Sequence, residues 1–131
     1  MKTIKQKVTF NVTPAQLYEA ILDPKIHSKF SGAKATGSMK VGGKFTAWDG
    51  YIFGTNLVLE KNKKIVQQWT STDFPKGHMT EVTFEFLRLA KGTKLVFTHK
   101  NVPDENYEDT SQGWKDFYWI PLQTWFGAQN G

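Results

Sequence analysis

The chain has no cysteine, which excludes a disulfide framework, a thiolate zinc site and a cysteine nucleophile. The absence of disulfides suits a cytoplasmic protein, and we expect that location here. No apolar run approaches the roughly 20 residues that cross a bilayer. The N-terminal MKTIKQKVTF alternates charged and apolar residues, which predicts a strand and not a secretory signal. The sequence therefore predicts no association with a membrane.

Arginine is nearly absent, since Arg88 is the only one in 131 residues. Base and phosphate recognition relies on the planar arginine fork, so we do not expect nucleic acid as a partner. The net charge of +5 comes from lysine and is uneven, with +7 over residues 1–64 and −2 over the remainder. A solvated basic face explains this pattern, and an acidic protein partner is the functional alternative. The lysines that we regard as a candidate partner surface are Lys25, Lys29, Lys40, Lys44, Lys61, Lys63 and Lys64.

Motifs for catalysis and metal binding are also missing. His27, His78 and His99 do not have the spacing of metal ligands, and the chain has no serine elbow, phosphate-binding glycine loop or HExxH pattern. Four carboxylates precede the last helical pattern: Asp104, Glu105, Glu108 and Asp109. Their spacing is not that of a calcium loop, and a solvated helix start explains them. We therefore expect neither an enzyme nor a bound metal or cofactor.

Aromatic residues, in contrast, are abundant at 15% of the chain, with five Trp and ten Phe. Many of them fall in one helical pattern over residues 109–126. The residues that recur there at intervals of three and four are Trp114, Phe117/Tyr118, Pro121/Leu122 and Trp125. Asp109, Thr110 and Ser111 offer N-cap side chains, and the proline is expected to remove one hydrogen bond and bend the helix.

The rest of the chain is mostly strand-like. Residues 3–12 alternate, with Ile4, Gln6, Val8 and Phe10 in one phase, and Thr13-Pro14 and Asp23-Pro24 predict two short helices. Further extended segments are predicted at residues 33–37, 44–48, 51–60, 64–71, 79–89 and 93–101. Within them we expect one inner phase to hold Phe53, Leu57 and Leu59; Ile65 and Trp69; Val82, Phe84 and Phe86; and Leu95, Phe97 and His99. The pattern predicts one α+β domain over residues 1–131, in which a curved antiparallel sheet wraps around a long C-terminal helix.

Seven short blocks, taken in order, resemble a known family. They are GGKF at 42–45, DG at 49–50, IVQQW at 65–69, FPKGH at 74–78, QGW at 112–114, FY at 117–118 and TWFG at 124–127. The chain resembles the C-terminal domain of the activator of the heat-shock protein 90 ATPase, within the START-like (SRPBCC) helix-grip superfamily. The eukaryotic activator carries a further N-terminal domain that supplies much of its grip on the chaperone. Because this sequence begins at Met1, we expect it to lack that domain.

The helix-grip fold that this resemblance implies usually leaves a cavity between the sheet and the long helix. The candidate cavity residues are Phe53, Trp69, Phe84, Phe86, Phe97, His99, Trp114 and Tyr118. Large aromatics either line a ligand pocket or fill the core, and His99 is either a satisfied core histidine or a ligand contact.

The loop Phe74-Pro75-Lys76-Gly77-His78 is a second candidate partner surface through Phe74, Lys76 and His78. The alternatives are that Phe74 caps the end of the sheet and that His78 is a turn residue bonded to backbone.

The resemblance implies a stress-response co-chaperone that binds heat-shock protein 90 and stimulates its ATPase. The alternative is a START-like carrier of a small hydrophobic ligand, held between the sheet and the terminal helix.

Overall fold

Alternating apolar and polar residues build seven strands, which form one antiparallel sheet in the order β1-β7-β6-β5-β4-β3-β2. A computed structural model describes residues 1–130, with side chains described as far as residue 127; the final residue of the expected domain, Gly131, lies outside that range. The strands are β1 (Lys2–Phe10), β2 (Thr36–Gly37), β3 (Lys44–Ala47), β4 (Ile52–Glu60), β5 (Lys64–Ser71), β6 (Thr80–Arg88) and β7 (Thr93–Val102). Because β1 and β2 lie at opposite edges, the two helices between them cross from one edge of the sheet to the other.

These helices are α1 (Pro14–Leu22) and α2 (Pro24–Ser31), and each begins where the sequence predicts. The Thr13 hydroxyl accepts a hydrogen bond from the Gln16 N–H at 3.2 Å, and the Gln16 side chain accepts one from the Thr13 N–H at 2.9 Å. Asp23 caps α2 by accepting from the Lys25 N–H at 2.9 Å. Proline at the first position of each helix needs no donor there, so both starts are favourable.

The terminal helix runs from α3 (Tyr107–Trp114) through a π-helical turn (Lys115–Trp119) to α4 (Ile120–Asn130). A 3₁₀ turn (Asp104–Asn106) precedes it, so the predicted N-caps at residues 109–111 were wrong, and Asp109 lies in the first helical turn. The π turn ends just before Pro121. In a regular α-helix the proline ring would clash with a carbonyl of the preceding turn, and the wider π turn makes room for it. No helix in the described part of the chain has the length and apolarity that a bilayer crossing requires.

The core lies between the concave face of the sheet and the terminal helix. The predicted inner phases of β6 and β7 are confirmed, because Val82, Leu95, Phe97 and His99 are completely or almost completely buried. The helix contributes Trp114, Tyr118, Trp119, Leu122 and Phe126. The π turn places Tyr118 and Trp119 inward together, whereas Phe117, which the helical spacing had grouped with Tyr118, is 54% exposed.

The predicted inner phase of β4 was wrong. Phe53 and Leu57 are exposed, while Ile52 and Asn56 point inward. A register shift between Asn56 and Val58 inserts one extra residue into β4 opposite β5. Before this bulge the even-numbered residues point inward, whereas after it the odd-numbered Leu59 does. The bulge therefore removes Phe53 from the expected cavity wall.

Candidate functional site

A pocket of about 410 Å³ opens between the terminal helix and one end of the sheet. Its walls come from the β3–β4 turn, the end of β5 with the loop that follows it, and the first half of the terminal helix. The lining residues are Trp48, Tyr51, Ile52, Trp69, Ser71, Asp73, Phe74, Asn106, Asp109, Thr110, Gly113, Trp114, Phe117 and Tyr118. This volume falls within the range of small-molecule sites in proteins.

A strained turn supplies one wall of the pocket. Trp48, Asp49 and Gly50 all have positive φ angles, of 53°, 58° and 90°. Only glycine adopts that region without cost, so the turn holds Trp48 in an unfavourable conformation. The Trp48 indole contacts Phe117 edge-on, with ring centroids 5.4 Å apart. The turn therefore places the Trp48 indole against Phe117, on the outer side of the terminal helix.

Closely packed aromatic rings form the floor of the pocket. The Trp114 ring lies 5.2 Å from that of Trp69 and 4.5 Å from that of Tyr118. Burial raises the pKa of the Tyr118 phenol, so this hydroxyl stays neutral. Phe74 closes one side at 5.9 Å from Trp69. The floor is therefore apolar and rigid, with few side-chain rotamers left to order when a ligand binds.

A buried hydrogen-bond chain holds this floor in place. The Trp114 indole N–H donates to His99 Nδ1 at 3.0 Å, and His99 Nε2 lies 2.7 Å from the Thr80 hydroxyl, which donates to the Trp69 carbonyl at 2.5 Å. Because the indole is only a donor, Nδ1 must be unprotonated, and His99 is the neutral Nε2–H tautomer. Burial lowers the pKa of His99 to about 3, in agreement with that state. His99 is thus the satisfied core histidine of the two alternatives.

Polar groups gather at the rim of the pocket. The Tyr51 hydroxyl donates a short hydrogen bond to Asp73, and the Asn106 amide donates to the Asp73 carbonyl at 3.4 Å. One buried atom of a lining residue, Asn106 Oδ1, has no hydrogen-bond partner in the described part of the chain. Asp109 projects from the first turn of α3 and is exposed. The rim therefore combines carboxylates with a polar atom that lacks a partner.

The residues predicted to line a cavity divide into three groups. Trp69, Trp114 and Tyr118 line the pocket. Phe53 is exposed, as described above. The other four, Phe84, Phe86, Phe97 and His99, belong to the packed core. A second void, between α2, β3 and the terminal helix, has a volume of about 30 Å³, little more than one water molecule. The pocket of about 410 Å³ lies at one end of the sheet.

The residues predicted to form a partner surface lie at opposite ends of the sheet. Lys40 and Lys44 at the β2–β3 turn, and Lys61, Lys63 and Lys64 at the β4–β5 turn, share one end. Lys25 and Lys29 project from α2, which contacts β2 and β3. Lys64 is half-buried and the other six are exposed. The loop that carries Phe74, Lys76 and His78 is at the other end, because it follows β5.

In that loop Phe74 is not an exposed anchor. It is buried at 6% exposure and packs on Trp69, which agrees with the alternative that it caps the sheet end. His78 Nε2 lies 2.8 Å from the Asn101 carbonyl, so this histidine is the backbone-bonded turn residue of the two alternatives. Lys76 is exposed and makes no ion pair in the described part of the chain.

Sequence reasoning missed Trp48, Tyr51 and Asp73 as pocket residues. Asp49-Gly50 was recognised as a turn, but the aromatic residues on either side of it were taken as strand residues. The run of aromatics around a tight turn, WDGY at 48–51, was the available signal. Asp73 carries no signal of its own, because its position depends on how the β5–β6 loop folds back.

A curved antiparallel sheet closed by a long terminal helix, with two short helices joining its edges, defines the helix-grip class of START-like proteins. Within that class, residues 11–126 match the family model described as Activator of Hsp90 ATPase homolog 1-like protein. The chain belongs to that family.

Individual relatives agree with this assignment. The chain is 32% identical over 124 residues to the Activator of 90 kDa heat shock protein ATPase homolog 1 of Homo sapiens, and 36% identical over the same length to an uncharacterized protein of Schizosaccharomyces pombe. Both matches cover 95% of this chain but 37% of the relative, so the chain spans just over a third of their length.

Among solved structures, an HSP90 activator from Plasmodium falciparum is 29% identical, with a TM-score of 0.89 over 97% of both chains. The Aha1 dimer from Colwellia psychrerythraea is 20% identical with a TM-score of 0.80 over 94% of both chains, which shows the shared fold.

Proposed function

We propose that this chain is a cytoplasmic co-chaperone domain that binds heat-shock protein 90 and stimulates its ATPase. The observation that carries this proposal is the similarity to the human activator over almost the whole chain. The similarity to the Plasmodium falciparum HSP90 activator, over nearly all of both chains, adds support. These relatives are named as activators of another protein's ATPase, so we propose that the chain itself is not an enzyme.

The lysine end, defined as Lys40, Lys44, Lys61, Lys63 and Lys64 with Lys25 and Lys29 of α2, is the surface that we propose for the chaperone. None of these ammonium groups lies within 4.0 Å of a carboxylate among the described side chains. An acidic partner would therefore meet unpaired positive charge. Complementary charge of this kind mainly accelerates association, and its effect decreases when salt is added.

Binding to purified heat-shock protein 90, measured at low and at physiological salt, tests this proposal. We expect the double charge reversal Lys61→Glu/Lys63→Glu to slow association by roughly ten-fold or more at low salt. The matched control is Lys100→Glu/Lys115→Glu, which makes the same charge change on exposed residues outside the lysine end. Equal slowing by both pairs would contradict the surface assignment, and no binding by the unaltered chain would contradict the partner.

The second candidate function, a carrier of a small hydrophobic ligand, is favoured by the pocket of about 410 Å³ lined by Trp69, Trp114 and Tyr118. Native mass spectrometry of the purified protein, compared with the denatured chain, tests it. A stoichiometric extra mass that is lost on denaturation would support the carrier function. The same mass in both states, together with no uptake of added aromatic compounds, would contradict it.

A further inference from the structure

We propose that the pocket takes a small planar aromatic molecule that carries a positively charged amine. The inference rests on the proposed ligand-binding function and adds the chemical class of the ligand. Three features of the pocket lead to it: the shape of its walls, the sign of its charge and one buried oxygen that lacks a hydrogen-bond donor.

The walls favour a flat ligand. The indoles of Trp48, Trp69 and Trp114, with the rings of Phe74 and Phe117, present aromatic surfaces on several sides. Aromatic rings prefer to contact other rings in offset or edge-on arrangements, and their faces also attract cations. A planar aromatic cation therefore gains from both interactions, whereas an aliphatic chain gains from neither.

The charge of the pocket is opposite to that of the protein. The chain carries a net charge of +5, yet Asp73 and Asp109 are the only ionisable side chains with a formal charge among the described lining residues. Neither carboxylate has a cation within 4.0 Å in the described part of the chain. Two cations beside the start of the terminal helix are engaged elsewhere, because the Met1 ammonium pairs with Asp104 at 3.1 Å and Lys2 lies over the Tyr107 ring. The two pocket carboxylates are therefore available to a cationic ligand.

The start of the terminal helix does not reverse this preference. A helix N-terminus carries about half a positive charge, which by itself favours anions. Glu105, Glu108 and Asp109 lie at this helix start beside Asp104, whose charge the Met1 ammonium balances, and Asp73 lines the same pocket. Their negative charge exceeds the helix contribution several-fold, so an anionic ligand is repelled.

One unsatisfied polar atom belongs to the walls. Asn106 Oδ1 is buried without a hydrogen-bond partner in the described part of the chain. A buried polar atom without a partner costs about 1–3 kcal/mol. A ligand amine is a hydrogen-bond donor, which is the partner that this oxygen lacks.

The test compares three probes of the same size by NMR titration of the full chain: 1-naphthylmethylamine, which is a cation at neutral pH, 1-naphthylmethanol, which is neutral, and the anion 1-naphthoate. We expect the amine to bind roughly ten-fold more tightly than the alcohol, and the anion to bind most weakly. Among the five Trp indole N–H signals, we expect the largest shift at Trp48, which the Trp48→Phe variant identifies.

The double variant Asp73→Asn/Asp109→Asn should bind the amine and the alcohol equally. The control Asp104→Asn, a carboxylate outside the pocket lining, should keep the preference for the amine. If the unaltered chain binds the amine and the alcohol equally, the proposed ligand class is wrong while the pocket remains a ligand site. If no probe shows saturable binding, the ligand class and the carrier function both fail.

Discussion

The Trp114 indole N–H donates to Nδ1 of His99 at 3.0 Å, and this hydrogen bond joins the terminal helix to β7 of the sheet. His99 is completely buried on β7, and Trp114 is 2% exposed on α3. The contact fixes both the tautomer of the histidine and the orientation of the ring that forms the floor of the pocket. The core and the candidate ligand site therefore share one buried polar pair.

Replacing His99 by leucine should destabilise the fold by about 2–5 kcal/mol. The reason is that Trp114 Nε1 loses its buried acceptor, at a cost of about 1–3 kcal/mol. The Thr80 hydroxyl keeps its bond to the Trp69 carbonyl but loses the one from His99, at a further cost of about 0.5–1.5 kcal/mol. Urea unfolding measures the loss. His78→Leu is the matched control, since His78 is only partly buried and should cost less than about 1 kcal/mol. A His99→Gln variant retains an acceptor and a donor and should lie between the two. Equal losses for His99→Leu and His78→Leu would contradict the buried network.

Stability should decrease with acidification because of His27 and His99. Burial lowers the pKa of His27 to about 4, opposed by its hydrogen bond to the Ile21 carbonyl, and lowers that of His99 to about 3. The unfolded histidines have a pKa near 6.5, so below that pH the unfolded chain binds protons that the folded chain does not. As the pH falls below about 6.5, the free energy of unfolding therefore decreases by roughly 1.4 kcal/mol per pH unit for each histidine.

Urea unfolding from pH 7 to pH 4 measures this slope. In the His99→Gln variant, one of the two histidines is removed and the slope due to histidine should fall by half. An unchanged slope would show that His99 is not buried in its neutral form.

Gln6→Leu should loosen the terminal helix from β1. The Gln6 side chain accepts from the Trp119 indole at 2.6 Å and donates to the Ser111 carbonyl at 2.9 Å. The leucine leaves the indole without an acceptor, at a cost of about 1–3 kcal/mol. Gln68→Leu, on an exposed position of β5, serves as the control and should be nearly neutral. The urea midpoints of the two variants are compared, and the Trp119 indole signal is followed by NMR. Similar midpoints for Gln6→Leu and Gln68→Leu would contradict the role of Gln6 in holding the terminal helix.

Gly54→Ala should be among the most damaging small substitutions. A Cβ on Gly54 would overlap the Gln68 carbonyl oxygen on β5 and would also meet the Phe45 ring. Because the first obstacle is backbone, relief requires β4 to move, and we expect a loss of about 3 kcal/mol or more. At Gly127, in α4, a Cβ meets nothing within 4 Å, and Gly127→Ala should stabilise the helix by up to about 1 kcal/mol. If Gly54→Ala has the same melting temperature as the unaltered chain, the close approach of β4 to β5 at this glycine is contradicted.

The class of fold was predictable because it follows from simple periodicity. The alternation through Val82, Phe84 and Phe86 and the caps at Thr13 and Asp23 act locally, so their outcome does not depend on distant contacts. The phase of Phe53 was not predictable, because the bulge after Asn56 changes the register without any marker residue. A strand pattern with an inserted residue looks the same as one without it.

The pocket was harder to predict than the core. Tyr118 and Trp119 are adjacent in sequence, and a regular helix would not turn both inward; the π turn before Pro121 does so. Trp48 and Asp73 line the same pocket because a turn with positive φ angles and the loop after β5 bring them to the same end of the sheet. Such placements depend on tertiary structure, whereas the resemblance to the family depended on short motifs that survive in sequence.

The ATPase rate of purified heat-shock protein 90, measured with increasing amounts of this chain, tests the central claim most directly. The account predicts that the rate rises to saturation at low salt, that the rise shrinks at higher salt, and that Lys61→Glu/Lys63→Glu weakens it more than Lys100→Glu/Lys115→Glu. The chain alone, without the chaperone, gives the baseline for each point. An unchanged chaperone rate at low salt, with the chain in large excess, would contradict the co-chaperone function.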